Sequence, residues 1–353
     1  GFMDKENIVK YLKKYSEFVK ADILEGIEVK QLVKKNEKFF ISTNRGNFEA
    51  DQVVIATGAY HVPNRHPLSE RLPTNILQID ARDYKNANSL PDGPVLVVGS
   101  GQSGCQIAED LFFEKRKVHL SVGSAPRSPR RYRGRDVVDW LDRMGYYSMP
   151  IGEHDDPKSV RNKTNHYLTG RDNGREIDLR KRAKEGMSLH GRLKDLTIDN
   201  IRFSNDLSKN LDGADSVYCR IRNSIDEWIS KNNIDAPKEE IYVPCWEPTE
   251  DFKGTQLECK NLAVVIWCTG YKSDFSWVDV SVFDGTGTPV HERGVTQSPG
   301  LYFLGLPWLY TWGSGRFCGV KDDANFLADI ISLRSNKSAA TKEMLECKAL
   351  LGS

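Results

Sequence analysis

The sequence predicts an α/β fold in which parallel strands alternate with helices, and three segments carry that prediction. Residues 95–98 form a short apolar, β-branched run, which is typical of a buried parallel strand, and a helical apolar pattern follows a cluster of glycines directly after it. Two more apolar runs, at 51–58 and 262–270, each end in Thr-Gly. We expect these two to be strands that cross between two domains, because the glycine permits the chain to reverse.

The remaining elements follow in chain order. Asp4 can cap a helix over residues 4–19, and residues 26–50 have the alternation of a three-stranded antiparallel meander. Residues 59–92 are rich in loops, and residues 117–122 are predicted to be the second strand of the domain that starts near 93. Residues 145–250 are polar, charged and partly helical, so we expect an insertion. A strand at 301–305 and a helix at 322–333 complete the chain. The predicted division is 1–92, 93–270 with that insertion, and 271–353.

Glycines 99, 101 and 104 have the spacing G-x-G-x-x-G between a strand and a helix. Gly99 permits the tight turn, Gly101 lets a pyrophosphate approach the backbone, and Gly104 lets the helix pack close to the strand. This arrangement predicts dinucleotide binding; the alternative is a glycine-rich turn without a ligand. The predicted binding segment is Gly99, Ser100, Gly101, Gln102, Ser103 and Gly104.

The strand after this helix indicates which dinucleotide binds. An NAD site usually has an acidic residue there for the ribose 2′-hydroxyl, whereas this sequence has Ser121 and no acid between positions 119 and 135. Arginines follow at 127, 130, 131, 133 and 135, and a guanidinium pairs well with a 2′-phosphate. We therefore expect NADP(H), held through Arg127, Arg130 and Arg131; the alternative is that the arginines form a solvated loop.

Composition excludes several classes of function. The net charge of +1 over 353 residues gives no case for nucleic acid or an anionic membrane surface, and no apolar run approaches the ~20 residues of a membrane span. The seven cysteines are scattered without a C-x-x-C pair, which removes the redox-active disulfide of a disulfide reductase and fits the cytoplasm. We expect no metal, a small-molecule substrate, and neither nucleic acid nor a membrane as a partner; a homo-oligomer stays open.

Two segments, Val54-Ile-Ala-Thr-Gly58 and Ile266-Trp-Cys-Thr-Gly-Tyr271, together with the glycine motif, the meander and the strand at 302–305, resemble the flavin-containing monooxygenase superfamily. The resemblance extends over nearly the whole chain. Segments 131–136, 164–170 and 307–315 look typical of a bacterial subgroup of uncharacterised FAD-dependent oxidoreductases within it.

The resemblance implies two Rossmann-like three-layer domains, with the NADP domain inserted into a discontinuous FAD-type domain. It implies FAD and NADPH as cofactors, and a monooxygenase that transfers one oxygen from O2 to a small nucleophilic substrate through a flavin C4a-(hydro)peroxide. The residues that it places at the cofactors, beyond the glycine motif, are Ala56, Thr57, Gly58, Thr269, Gly270, Gly315 and Val320.

The sequence departs from that family in two ways. The family's first glycine fingerprint, which holds the FAD pyrophosphate, has no counterpart upstream of the segment at 2–4, so we expect this chain to bind FAD weakly or not at all. Asp80 stands where the family signature has a histidine. Two alternatives therefore stay open: an NADPH-dependent flavin dehydrogenase or reductase without oxygen insertion, and a catalytically silent NADP-binding fragment.

No residue is predicted to be catalytic. His166 either reaches a substrate or is a satisfied surface residue, and Cys318 is either a reactive thiol or a buried apolar one. Trp308, Tyr310 and Trp312, interleaved with glycines, predict either core packing or the wall of a cavity.

Overall fold

The computed structural model describes residues 3–162, 165–249 and 255–351, with backbone alone for Asn162 and for 337–351. Within these ranges the helices are α1 (Lys5–Val19), α2 (Gln102–Phe113), α3 (Val137–Arg143), α4 (Pro157–Asn162), α5 (Leu179–Lys184), α6 (Leu207–Lys231) and α7 (Val320–Leu351).

The strands in the described part of the chain are β1 (Val29–Lys35), β2 (Lys38–Thr43), β3 (Gly46–Ala50), β4 (Val53–Ile55), β5 (Val62–Pro63), β6 (Leu77–Asp80), β7 (Val95–Val98), β8 (Val118–Ser121), β9 (Arg131–Tyr132), β10 (Arg135–Asp136), β11 (Ser188–His190), β12 (Leu193–Leu196), β13 (Asn200–Phe203), β14 (Gln256–Glu258), β15 (Val264–Trp267), β16 (Tyr271–Lys272), β17 (Val278–Asp279), β18 (His291–Glu292), β19 (Val295–Thr296) and β20 (Leu301–Phe303).

The contacts divide the chain into two units. The first unit comprises residues 1–19, 63–144 and 163–270, and the second comprises 20–62, 145–162 and 271–353. Each unit has its own hydrophobic core and is described separately below.

A five-stranded parallel sheet of order β11-β8-β7-β15-β6 forms the centre of the first unit. Strands β7, β8 and β15 are buried along their whole length, which explains why β7 and β15 are continuous apolar runs in the sequence. Helix α2 packs against this sheet through Cys105, Ala108 and Leu111, each of them fully buried. The prediction of an α/β fold with parallel strands is thus confirmed.

The first unit has two smaller parts. Strands β12, β13 and β14 form an antiparallel sheet that contributes Leu196, Ile201 and Phe203 to a second cluster on the parallel sheet. Helices α3 and α6 enclose a separate cluster around Trp140, whose indole N–H donates to the carbonyl of Tyr132 at 2.7 Å. Both parts belong to the region that the sequence marks as a polar insertion or borders it.

The second unit contains two four-stranded sheets, β17-β1-β2-β3 and β18-β19-β20-β4. The first is the meander predicted from residues 26–50, extended by β17, which runs parallel to β1. In the second sheet β4 pairs in parallel with β20 and forms the sheet edge. Phe39, Ile55 and Phe303 meet in the core between these elements.

Helix α1 begins where the sequence predicts. The carboxylate of Asp4 accepts the backbone N–H of Asn7 at 2.7 Å and caps the helix. Its apolar face is nevertheless exposed, with Leu12 44%, Tyr15 54% and Phe18 84% accessible, and none of its residues is buried. None of the helices that the structure describes is long and apolar enough to cross a membrane.

Strand β11 differs from the sequence prediction, which gives the region 145–250 no strand of the main sheet. Ser188, Leu189 and His190 pair in parallel with β8, and the imidazoles of His119 and His190 meet at 3.0 Å between the two strands. The segment is only three residues long and contains two polar residues, so its pattern gives no strand signal. The segment is a strand because it pairs with β8 in the tertiary structure.

Candidate nucleotide-binding site

The glycine turn after β7 has the backbone that the motif predicts. Gly99 lies at φ +103°, and its N–H donates to the carbonyl of Ser121 at 3.1 Å. A Cβ at Gly99 would lie 2.5 Å from the carbonyl oxygen of Cys268. Both the left-handed backbone and the close approach of β15 therefore require glycine here.

Gly104 is tightly packed, whereas Gly101 faces open space. A Cβ at Gly104 would lie 1.8 Å from the carbonyl oxygen of Gly99, so glycine is what allows α2 to pack on the turn. Gly101 is the N-cap of α2 with an extended backbone, and a Cβ there would meet nothing within 4 Å. The turn is thus tightly packed at its first and third glycines and open at its second, which fits a pyrophosphate lying over Gly101.

The N-terminus of α2 supplies donors next to this open space. The first helical hydrogen bond runs from Cys105 N–H to Gly101 C=O at 2.9 Å, so the N–H groups of Gln102, Ser103 and Gly104 precede the helical ladder. No acidic residue occupies the first turn. The helix dipole and these three donors favour an anion at this position.

Two serines join the turn to the neighbouring strand ends, and both are buried. The hydroxyl of Ser100 accepts the N–H of Gly123 at 2.9 Å, which fixes the loop after β8 against the turn. The hydroxyl of Ser121 donates to Gly191 C=O at 3.0 Å and accepts the N–H of Leu193 at 3.2 Å. The side chain of Ser121 therefore holds the end of β11 beside the end of β8.

Arg127 lies in a buried ion-pair cluster and not in an open loop. Its side chain is 2% exposed, and its guanidinium stacks between the rings of Tyr218 and Tyr242 at 4.2 and 4.7 Å. Burial lowers the pKa of Arg127, but the carboxylates around it outweigh that effect and raise it. Those carboxylates are Glu176, Asp178 at 3.1 Å and Asp215 at 2.7 Å. Because three acids surround one guanidinium, the cluster does not attract a phosphate.

Arg130 and Arg131 also have protein partners. Arg130 is 2% exposed, pairs with Asp136 and donates from Nε to Thr169 C=O at 3.0 Å. Arg131 is exposed and donates to the carbonyl of Asn173 at 2.9 Å. The structure thus gives Arg127 and Arg130 a role in packing, and their assignment to a 2′-phosphate stays a prediction that the geometry does not favour.

An ion pair that no sequence pattern indicates lies at the carboxyl end of β6, in the same parallel sheet. Arg65 binds Asp80, the last residue of β6, through two hydrogen bonds, Nε to Oδ1 at 3.1 Å and Nη2 to Oδ2 at 2.8 Å. Asp80 is 8% exposed, and the two hydrogen bonds from Arg65 satisfy its buried carboxylate. The residue that replaces the signature histidine therefore has a partner fifteen positions upstream, which no spacing rule could indicate.

Thr269 and Gly270 follow β15, at the carboxyl end of the same parallel sheet. The hydroxyl of Thr269 donates to the carbonyl of Asn64 at 2.6 Å, and Asn64 N–H donates to Gly270 C=O at 2.8 Å. Gly270 lies at φ +89° with open space where a Cβ would be. This pairing fixes the crossover that the Thr-Gly pattern predicts.

The thiols near the turn are not poised for redox chemistry. Burial raises the pKa of Cys268 to about 12, with a further contribution from Asp80, and burial raises the pKa of Cys105 as well. Every cysteine whose side chain the structure describes is a free thiol. Thiolate nucleophiles are therefore absent from this part of the site.

In the second unit, β4 and β20 end side by side. Ala56 and Thr57 are exposed directly after β4, and Gly58 turns the chain at φ +72°. Gly305 does the same after β20 at φ +77°, and neither glycine would bring a Cβ within 4 Å of another atom. These strand ends present an open backbone edge, which is compatible with a nucleotide at Ala56, Thr57 and Gly58.

The glycine-rich segment before α7 is explained by packing. A Cβ on Gly319 would lie 2.6 Å from the backbone of Gly313, and one on Gly315 would lie 3.2 Å from the nitrogen of Pro307. Trp308 is 8% exposed. These contacts favour core packing over a cavity wall. Val320 starts α7, and its N–H already donates to the carbonyl of Arg316 at 3.0 Å.

The remaining candidates lie apart from a built site. Burial lowers the pKa of His166 to about 4, with a smaller contribution from Arg220, which describes a neutral imidazole. Cys318 is exposed and not buried. Thr164, the first residue of the segment that resembles the bacterial subgroup, lies outside the described residues, as does Phe2.

Comparison with known proteins decides the family. A model of the family described as pyridine nucleotide-disulphide oxidoreductase matches residues 2–183. The chain belongs to that family. It is 31% identical over 334 residues to an uncharacterized CzcO-like oxidoreductase of Geobacillus kaustophilus (strain HTA426), covering 94% of this chain and 79% of that protein.

Two further matches carry the name monooxygenase. A thiol-specific monooxygenase of Saccharomyces cerevisiae is 32% identical over 162 residues, which cover 40% of this chain and 35% of that protein. The solved structure of a flavin-containing monooxygenase from Stenotrophomonas maltophilia has a TM-score of 0.57 at 15% identity, covering 92% of this chain and 76% of that one.

These matches confirm the resemblance to the flavin monooxygenase superfamily and the α/β fold class. The protein is an oxidoreductase, and the names of its family and relatives support the two cofactors, FAD and NADPH, that the sequence predicts. The family name includes disulphide chemistry, and the given sequence contains no C-x-x-C pair.

Proposed function

We propose that this family member is an NADPH-dependent flavoprotein monooxygenase that transfers one oxygen atom to a small nucleophilic molecule. The observation that carries the proposal is the glycine turn, which is closed by contacts at Gly99 and Gly104 and open at Gly101 beside a helix N-terminus. The names of the matched monooxygenases support the oxygen transfer.

The residues of the first unit would hold the pyridine nucleotide. The N–H groups of Gln102, Ser103 and Gly104 would donate to its pyrophosphate, and Ser100 would keep the loop at Gly123 in place beneath the adenosine. These are fixed donors on a rigid helix end, so they orient the cofactor without rearrangement.

The residues of the second unit would contribute part of a flavin site. The exposed backbone of Ala56 and Thr57, and the open turn at Gly58, fit a nucleotide at the ends of β4 and β20. When bound, FAD supplies hydride acceptance from NADPH and activation of O2. The protein's part is to bind, orient and exclude water.

The contacts of Asp80 favour a second candidate function, an NADPH-dependent flavin reductase without oxygen insertion. The family signature has a histidine there, whereas this chain has a carboxylate that is fully engaged by Arg65. If the signature contributes to oxygen transfer, this chain would reduce flavin and release hydrogen peroxide instead.

One measurement separates the two. Purified protein supplied with FAD and NADPH is incubated with a thiol or an amine, and NADPH oxidation, O2 uptake and peroxide release are recorded together. A monooxygenase consumes O2 in a substrate-dependent way without an equal release of peroxide. Peroxide equal to the NADPH consumed, whatever substrate is added, would favour the reductase.

A further inference from the structure

Arg192 lies next to the end of the strand at which dinucleotide-binding folds usually hold the adenosine ribose. In a dinucleotide-binding fold the ribose 2′ position lies at the end of the strand that follows the fingerprint helix, which is β8 here. The residues on both sides of Arg192 are bonded to the hydroxyl of the last residue of that strand: Gly191 C=O at 3.0 Å and Leu193 N–H at 3.2 Å from Ser121 Oγ. Arg192 therefore lies one residue from the predicted ribose site.

The charge of Arg192 is only weakly neutralised. Its side chain is 52% exposed, and its Nε lies 3.6 Å from the carboxylate of Asp206. The other oxygen of that carboxylate accepts the backbone N–H of Arg192 at 3.0 Å. The guanidinium thus keeps donors for a ligand, whereas that of Arg127 is buried among three carboxylates.

We propose that Arg192 selects NADPH over NADH by pairing with the 2′-phosphate. The proposal rests on the use of NADPH put forward above and assigns the selectivity to a residue outside the arginine loop. A guanidinium can pair with a phosphate through two parallel hydrogen bonds, and the exposure of the Arg192 side chain limits the desolvation cost of such a pair. Selectivity then comes from the segment directly after β11, the strand that the sequence pattern does not reveal.

Calorimetry with two adenosine ligands tests this without flavin or turnover. Adenosine 2′,5′-bisphosphate and adenosine 5′-monophosphate are titrated into the wild type, into Arg192→Gln and into a control, Lys117→Gln. Lys117 immediately precedes β8 and is exposed, so the control removes one positive charge at the opposite end of the same strand. Thermal unfolding of each variant checks that it is folded.

We expect Arg192→Gln to weaken the bisphosphate by about 10- to 100-fold, the loss of one charge-assisted pair, and to leave the monophosphate unchanged. Lys117→Gln should change neither affinity. The role of Arg192 would be overturned, without affecting the proposed use of NADPH, by either of two results. One is that Arg192→Gln keeps the wild-type preference for the bisphosphate; the other is that it loses affinity for both ligands equally. If the wild type binds both ligands equally, the proposed use of NADPH fails as well.

Discussion

Replacing Gly101 with valine tests the site most directly, because the structure separates its effect on binding from its effect on folding. The backbone at Gly101 is extended, with φ −67° and ψ −176°, which a valine adopts without strain. Nothing lies within 4 Å of the added Cβ. Because Gly101 is the N-cap of α2 and valine is a poorer N-cap residue than glycine, we expect the free energy of unfolding to fall by about 1 kcal/mol at most.

Binding should respond very differently. The valine side chain would occupy the space that leads to the N–H groups of Gln102 and Ser103 at the start of α2. Losing two charge-assisted hydrogen bonds to a pyrophosphate costs on the order of 3–6 kcal/mol, which corresponds to roughly 10²- to 10⁴-fold in affinity. Calorimetric titration with NADPH measures this, and urea unfolding measures the stability.

Gly213→Val is the matched control. Gly213 is exposed on α6, and a Cβ there also meets nothing within 4 Å. The same side chain is thus added in open space away from the turn, and NADPH affinity should stay at the wild-type value. If Gly101→Val binds NADPH as tightly as this control does, no pyrophosphate lies over Gly101 and the assignment of the glycine turn is wrong.

Three further changes follow from the same structure. Gly104→Ala should destabilise the fold by about 1–3 kcal/mol or more, since its Cβ would lie 1.8 Å from the carbonyl of Gly99; wild-type stability in urea would contradict this packing. Arg127→Ala should cost about 3–5 kcal/mol in unfolding free energy because its carboxylate partners would be left uncompensated; a change in NADPH selectivity at unchanged stability would instead restore the arginine-loop hypothesis. Burial, and then the neighbouring His190, lower the pKa of His119 from its ordinary 6.5 to about 4, so the unfolded chain binds the proton first. Stability should therefore fall by about 3 kcal/mol between pH 6.5 and 4, and urea titrations of His119→Gln should lack that part of the slope.

The sequence predicted the glycine turn well because the role of each of its glycines depends on residues that are close to it in the chain. Gly99, Gly101 and Gly104 lie within six residues between one strand and one helix, so their spacing already encodes the backbone conformation and the helix–strand approach. The meander and the cap at Asp4 are local in the same sense. Patterns of this kind depend on neighbours along the chain, which the sequence displays.

The predictions that the structure does not favour concern contacts between distant positions. An arginine in a loop has the same local pattern whether it faces solvent or a buried carboxylate, and the acids that decide the matter for Arg127 lie 49 and 88 residues away. The glycines near α7 show the same limit: Gly313 and Gly319 face each other's backbones, while the sequence equally allowed a ligand. Residue type alone could not distinguish these cases.

The strand β11 shows why contacts between distant positions matter for function. The carboxyl ends of β7, β8 and β11 lie side by side in the parallel sheet. A residue that follows a strand there is a candidate for ligand binding whatever its local sequence pattern. Because β11 is short and polar, the sequence assigned the selectivity to the arginines that follow β8 in the chain. Pairing between β8 and β11 instead brings Arg192, 71 residues beyond Ser121, to the same place. In this chain the strand order thus identifies a candidate residue for binding the 2′-phosphate that the sequence pattern does not indicate. The affinity of Arg192→Gln for adenosine 2′,5′-bisphosphate decides between Arg192 and the arginines that follow β8.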